Sequence, residues 1–241
     1  TIEDKTTVQL FGKLENGQSF VTINTLKPYF FVRELDLKKV EKYLNNYKTE
    51  KTSITNFQKE KLIKIEAKNQ TGLSKLTHII HENAEIETYE ADIKPAIRFL
   101  MDNHILSSVE IEGEHEPSER VDRVYKEPKL SPAKEESKPK LKVISLDIES
   151  DKKTSKLFCV GMSGENYNKV FMITDKKLEN AVECKNEEDL LIKFRQEFLK
   201  QDPDLIIGWS IIDFDLKTLE ALFNKYKVPF DIGRTNEPAR L

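Results

Sequence analysis

The ten residues LKVISLDIES (141–150) decide how the second half of this chain folds. They form an apolar run that predicts a buried strand, yet the run ends in two carboxylates, Asp147 and Glu149. Because residues i and i+2 of a strand share a face, both acids should point one way and Ile148 the other. Two carboxylates held this close repel each other, which disfavours the charged form of each unless a cation lies between them.

A divalent metal ion would remove that repulsion. Oxygen ligands suit Mg²⁺ or Mn²⁺, and Mg²⁺ typically binds one or two carboxylates together with phosphate oxygens of a substrate. A strand end that emerges into solvent would also expose two acids without any ligand. Other acid pairs with the same spacing, such as Glu85 with Glu87, are best explained as ordinary surface, so the pair alone leaves both interpretations open.

A third acid, Asp215, follows the apolar run LIIGWSII (205–212). Sheets of α/β proteins place ligands in the crevice beyond the carboxyl ends of their strands, and Asp215 should lie in such a crevice. The alternative is an acid in the first turn of a helix, where it stabilises the helix dipole, with Asp213 as the N-cap.

The first 110 residues alternate between strand and helix patterns and predict an α+β domain. Asn16-Gly17 between two β-rich runs predicts a hairpin. Apolar periodicity then predicts strands over 28–32, 61–68 and 85–93 and helices over 36–47, 71–83 and 95–105.

Residues 111–140 combine four prolines with dense charge of both signs. This composition predicts a solvated linker between two domains. A basic contact strip is the alternative, but acids interleave with the lysines too evenly to favour it.

From residue 141 onward the pattern changes to an α/β domain. The order of elements, βββαβα, is that of a ribonuclease H-like domain. Strands are predicted over 141–148, 156–163, 168–174 and 205–212, and helices over 186–201, with Asn186 as N-cap, and over 214–227.

Composition limits the remaining classes of protein. The chain has 241 residues, of which 38% are hydrophobic and 34% charged, values typical of an ordered protein with one or two domains. A net charge of −3 gives no overall basic field for nucleic acid. Cys159 and Cys184 lack CxxC spacing, which favours a reducing compartment, and no run is long enough to span a membrane. We therefore expect a cytoplasmic protein.

Several segments resemble family B DNA polymerases, most closely the bacterial DNA polymerase II branch. SLDIES (145–150) is similar to their first exonuclease motif, and DPDLIIGWSIIDFDLKTL (202–219) to their second. TYEADIKPAIRFLMD (88–102) is similar to the segment that joins their N-terminal and exonuclease domains, and KYKVPFDIGR (225–234) also resembles this branch. The likeness covers nearly the whole chain and keeps the order of the motifs.

The resemblance implies a DNA-directed DNA polymerase with 3′→5′ proofreading on a ribonuclease H-like fold, using two Mg²⁺ or Mn²⁺ ions. It implies that Asp147 bridges both ions, that Glu149 binds one ion and orients the attacking water, and that Asp215 holds the second ion. Ser210 and Phe214 would lie near the single-stranded 3′ end. The implied partners are DNA, as a 3′ end and as primer-template, and dNTPs, with a sliding clamp as a further candidate and no membrane.

Two departures from the family pattern affect what we expect of this chain. Many relatives carry Asn where Ser210 stands, and the third motif, Tyr-x-x-x-Asp, is absent. Tyr226 and Asp231 are one residue too far apart, and Pro229 interrupts the helix between them. We therefore expect the N-terminal piece of a longer polymerase, with an incomplete exonuclease domain over 141–241 and little nuclease activity of its own. The alternative is a stand-alone nucleic-acid-binding or polymerase-associated module with a degenerate exonuclease fold.

Overall fold

Buried apolar side chains collect in separate cores on either side of residue 138, and the chain accordingly divides into the units Thr1–Lys138 and Pro139–Leu241. The fold, known from a computed structural model, is mixed α/β, and the structure describes residues 4–135, 138–239 and 241. Both cysteines are free thiols. None of the helices within these described ranges is long and apolar enough to cross a membrane.

The N-terminal unit is built from three small sheets and three helices in the part of the chain that the structure describes. Its elements are β1 (Thr6–Lys13), β2 (Ser19–Leu26), β3 (Tyr29–Arg33), α1 (Leu37–Val40), β4 (Lys48–Thr55), β5 (Lys61–Glu66), α2 (Gln70–Ala84), α3 (Pro95–Asp102), β6 (Val109–Glu112), β7 (His115–Glu116), β8 (Arg123–Lys126) and β9 (Lys129–Pro132).

The predicted hairpin at the start of this unit is confirmed. Strands β1 and β2 pair along their full length, and Gly17 takes a φ of 84° in the turn between them, a conformation that favours glycine. Strands β3, β5 and β4 form a second sheet, whose apolar face packs against α2 through Leu73, Leu76 and Ile80.

The predicted linker over 111–140 was wrong as a solvated connector. Strand β8 pairs in parallel with β2, and β6 pairs with β9, so four strands between 109 and 132 complete sheets of the N-terminal unit; residues 136 and 137 of the predicted linker lie outside the described residues. Side chains strengthen the join, because the Asp122 carboxylate accepts the Ser19 backbone N–H (2.7 Å). These strands have two to four residues each, too few for a periodic pattern to stand out, although Tyr125 of β8 is buried.

Two further predictions for this unit were also wrong. The helix over 36–47 shrinks to the single turn α1, flanked by 3₁₀ turns, where the buried Asp36 pairs with Arg33 and Lys39. The strand over 85–93 reduces to one bridge between Phe31 and Tyr89, because Glu85 and Glu90 take left-handed backbone conformations that interrupt an extended strand.

The C-terminal unit contains one five-stranded sheet in the order β13-β12-β11-β10-β14. Strand β10 lies between antiparallel β11 and parallel β14, and two helices cover one face of the sheet. The elements are β10 (Val143–Ser150), β11 (Leu157–Gly164), β12 (Tyr167–Ile173), β13 (Ala181–Cys184), α4 (Glu187–Gln201), β14 (Leu205–Ile207), a π-helical turn (Ile212–Leu216) and α5 (Lys217–Lys225).

Strand β13 was missing from the predicted order βββαβα. It pairs in parallel with β12 at the edge of the sheet, and only Cys184 of its four residues is buried, so it lacks a strand signature. The N-cap of α4 is confirmed, because the Asn186 side chain accepts the backbone N–H of Asp189 (2.9 Å).

Gly208 directly follows β14, and its backbone lies against β10. A Cβ at this position would lie 2.6 Å from the carbonyl oxygen of Leu146 and 3.0 Å from Cδ1 of Ile211. Neither neighbour leaves room for a Cβ, so the backbone can pass this close to β10 only at a glycine.

We predict that Gly208→Ala lowers the free energy of unfolding by about 1–3 kcal/mol, because the new methyl group must push backbone apart. Gly233→Ala is the matched control, since a Cβ there meets nothing within 4 Å. Urea denaturation followed by circular dichroism measures both. Equal stability of the two variants would show that β14 can move away from β10 at no cost.

Candidate active site

Strand β10 presents its two acids on the sheet face opposite to the core. Ile144, Leu146 and Ile148 point into the core, each 5% exposed or less, whereas Asp147 and Glu149 alternate with them and are exposed. The shared face expected from the i, i+2 spacing is therefore confirmed.

Asp215 reaches the same strand from the following π-helical turn. Strand β14 ends at Ile207, opposite Ser145, so the N–H of Ile148 lies beyond the last parallel strand pair. The Asp215 carboxylate takes the place of that missing partner, accepting the Ile148 N–H through Oδ1 at 3.1 Å. Its side chain is buried, with 1% of the residue exposed. An acid complementing a helix dipole would not need this contact.

Asp213 does not cap the helix, so this part of the alternative interpretation was wrong. Its side chain is exposed and accepts a hydrogen bond from Nζ of Lys217 at 2.7 Å, one turn later. The helix instead begins through the π-helical turn, in which no side chain makes a capping hydrogen bond. The wider turn rotates Asp215 towards β10 while Asp213 faces solvent.

Burial raises the pKa of the Asp215 carboxyl, and the negative charge of Asp147 raises it further, while the hydrogen bond from the Ile148 N–H opposes both effects. Burial likewise raises the pKa of the Cys159 thiol opposite Glu149, and the charges of Glu149 and Asp147 add to this shift. The charges of the β10 acids therefore reach both neighbouring elements.

The donor chemistry of Asp147, Glu149 and Asp215 suits a hard divalent cation, since all three offer carboxylate oxygens and repel one another without one. Their side chains, however, do not converge on one point. Among the residues with described positions, no three His, Cys, Asp or Glu side chains are grouped closely enough to hold one ion. The acids thus fit a metal site in chemistry and in location, but they do not form a closed ligand set by themselves.

Exposed residues surround this site on the β14 side. Ser210 has a φ of 54°, and its carbonyl oxygen accepts the Phe214 N–H at 3.0 Å. Phe214 is 43% exposed, and Trp209 is 93% exposed. Trp209 was not among the predicted contact residues; a large aromatic residue placed directly after a chain-crossing glycine is the only signal that could have singled it out.

Comparison with known proteins identifies the family. The family model described as DNA polymerase family B, exonuclease domain, matches residues 86–174 and 150–240. The chain belongs to DNA polymerase family B. Among curated family B relatives, DNA polymerase II of Escherichia coli K12 is 32% identical over 160 residues, covering 63% of this chain and 19% of the relative.

Other family B relatives extend the likeness to both units. The DNA polymerase of Archaeoglobus fulgidus is 25% identical over 246 residues, covering 97% of this chain and 30% of the relative. The solved structure of the family B DNA polymerase from Pyrobaculum calidifontis shares the fold, with a TM-score of 0.78 and 18% identity, over 99% of this chain and 33% of the other. The chain thus spans less than a third of the length of these curated relatives.

The residues nearest to the third family B motif have structural partners instead. The Asp231 carboxylate binds Arg195 of α4 through two hydrogen bonds of 2.6 and 2.7 Å. The Tyr226 hydroxyl donates to Glu187 at the start of the same helix. Both side chains therefore fasten the segment after α5 to α4.

We predict that Asp215→Asn raises the free energy of unfolding at pH 7 by roughly 0.5–2 kcal/mol, because it removes a buried charge that Asp147 repels. The pKa of Asp215 is raised in the fold, so ionisation weakens the native state as pH climbs above the unfolded value of about 3.9. The gain should therefore vanish in acid, where both states are protonated.

Asp213→Asn is the matched control, because Asp213 is exposed and paired with Lys217. Its effect on stability should be near zero or slightly unfavourable. Both variants are measured by urea denaturation in EDTA between about pH 3 and pH 8, so that the series extends below the unfolded pKa of about 3.9. A gain for Asp215→Asn that persists unchanged at the acid limit would contradict a charge-based penalty.

Proposed function

We propose that this chain is the N-terminal part of a DNA-directed DNA polymerase and contributes acids to its 3′→5′ proofreading exonuclease. The observation that carries the proposal is the buried Asp215, bound to the backbone between Asp147 and Glu149 in a member of family B. We also propose that the C-terminal unit is the first part of a ribonuclease H-like domain. Its β10–β11–β12 meander is followed, after the edge strand β13, by a helix, a strand and a second helix.

The reaction we propose is hydrolysis of the last phosphodiester bond of a DNA strand. Two Mg²⁺ or Mn²⁺ ions, when bound, would stabilise the attacking and the leaving oxygens. Asp147, Glu149 and Asp215 would hold them. Glu149, at the exposed strand end, would orient the attacking water, and Asp215 is bound to the N–H of Ile148, the residue between Asp147 and Glu149. The hydrogen bond from Ile148 keeps Asp215 in a single orientation towards the strand.

The substrate we propose is a single-stranded 3′ end. Phe214 offers an exposed ring next to Asp215, and stacking on an aromatic ring tolerates any base, as removal of arbitrary mismatches requires. Ser210 lies one helical turn before Phe214 and is joined to it through the backbone. Primer-template DNA, dNTPs and a sliding clamp are proposed partners of the longer polymerase.

We predict that the 241-residue chain by itself degrades single-stranded DNA poorly with Mg²⁺. A ligand set without its last carboxylate should bind metal weakly, since Asp231 is occupied by Arg195. A 3′→5′ degradation assay on a labelled oligonucleotide measures this, with Asp147→Ala as the blank. Robust degradation that Asp147→Ala abolishes would show that Asp147, Glu149 and Asp215 suffice for hydrolysis, contrary to this prediction.

We predict that Asp147→Ala, made in the polypeptide encoded by the complete gene, slows removal of a mismatched 3′ nucleotide by more than about 100-fold. Extension of a matched primer should stay unchanged, because the acid acts only in hydrolysis. Asp213→Asn is the control and should preserve both activities. A complete product that neither extends nor trims DNA would instead favour a nucleic-acid-binding module.

A further inference from the structure

Three lysines follow the acids of β10 within one tight turn. Lys152, Lys153 and Lys156 lie in the hairpin between β10 and β11, and all three are exposed. Three residues of extended chain span at most roughly 11 Å, so Lys152 stays close to Glu149. No ion pair joins any of the three to an acid within the described residues.

The hairpin contains one acid, Asp151, and its carboxylate is hydrogen-bonded within the turn. The Asp151 carboxylate accepts the backbone N–H groups of Ser155 (2.6 Å) and Lys156 (2.9 Å) and the Ser155 hydroxyl (2.9 Å). These bonds lower the pKa of Asp151, the largest effect coming from the Lys156 N–H. The negative charge is therefore directed at the backbone of its own turn, and the lysine ammonium groups extend outward.

The turn is also held in one conformation. The Asp151 N–H donates to the Lys156 carbonyl at 3.0 Å, and the Thr154 N–H donates to the Asp151 carbonyl at 2.9 Å. Nζ of Lys225, on α5, donates to the Ser155 carbonyl at 3.2 Å. The same helix begins directly after the turn that carries Asp215, so one element fixes both the hairpin and the third acid.

Directly after the lysines, Phe158 is 50% exposed. It lines an open groove of about 390 Å³ together with Lys156, Ile173 and Glu187, whose carboxylate accepts hydrogen bonds from the Leu157 N–H and the Tyr226 hydroxyl. Cations next to an exposed aromatic ring are the combination that binds a single strand of nucleic acid, with phosphates on the cations and bases on the ring.

We propose that the hairpin of Lys152, Lys153 and Lys156 binds phosphates of the single-stranded DNA whose 3′ end reaches the acids of β10. This proposal rests on the proposed exonuclease function. It adds that the hairpin lysines attract the phosphates of DNA towards the acidic site. The three carboxylates repel DNA, and an array of fixed cations one turn away offsets that repulsion for the nucleotides that precede the scissile bond.

The test measures binding of the 241-residue chain to a fluorescent single-stranded oligodeoxynucleotide by anisotropy, in EDTA and over a series of salt concentrations. The triple variant Lys152→Gln/Lys153→Gln/Lys156→Gln should bind about tenfold more weakly at low salt. The slope of log affinity against log salt should become shallower by about 2, since each phosphate contact on a single strand contributes roughly 0.7. Oligonucleotides of different base composition should respond alike.

Two controls separate position from net charge. Lys38→Gln/Lys48→Gln/Lys75→Gln removes the same charge from exposed lysines of the N-terminal unit and should leave the salt slope near that of the unaltered chain. Replacement of the three hairpin lysines by Arg keeps the cations and should retain binding. Circular dichroism checks that each variant is folded.

The outcomes distinguish the hairpin from the function on which it rests. If the unaltered chain binds DNA and the hairpin glutamine variant binds equally well with the same slope, the hairpin proposal is overturned while the exonuclease proposal stands. Equal losses in both glutamine variants would also overturn it, because net charge alone would then explain the effect. Absence of any binding by the unaltered chain would count against both proposals.

Discussion

The C-terminal unit depends on one unmatched backbone group, the N–H of Ile148. Strand β14 ends opposite Ser145, so the sheet offers Ile148 no carbonyl on that side. A buried N–H without a partner is costly, and the Asp215 carboxylate satisfies it. This contact depends on three features: the short β14, the close approach of Gly208 to β10, and the π-helical turn. Together they place the Asp215 carboxylate beside the Ile148 N–H.

The same contact creates the electrostatic problem of the site. A carboxylate that satisfies a buried N–H must itself lose water, and it does so beside the charge of Asp147. The apolar face of β10 keeps the strand in the core, which prevents the acids from relaxing apart. Fold stability and charge accumulation thus oppose each other on one strand, an arrangement that proteins usually retain only where the charge is used.

Patterns with a period were predictable from the sequence, whereas contacts between distant segments were not. The alternation in β10, the amphipathic faces of α2 and α4, the Asn186 cap and the Asn16-Gly17 turn all depend on neighbouring residues, and the structure confirms them. The linker was wrong because β8 pairs with β2 across about a hundred residues of chain, a partner that the local composition of 111–140 does not indicate. Asp215 was singled out from its place after an apolar run, but its hydrogen bond to Ile148 depends on where β14 stops, which no local pattern reveals.

The net charge of −3 gives no overall basic field for nucleic acid, but positive charge is concentrated locally in the hairpin that follows β10. Averaged over the chain, lysines and acids nearly cancel, and a distant polyanion would be weakly repelled. At short range the order matters: two acids on a rigid strand, an acid bound within its own turn, and then unpaired lysines. Since salt screens interactions beyond about 10 Å, a strand of DNA close to the hairpin experiences mainly these local charges. An acidic protein can therefore admit DNA to an acidic site, provided that its cations lie within a few residues of the acids.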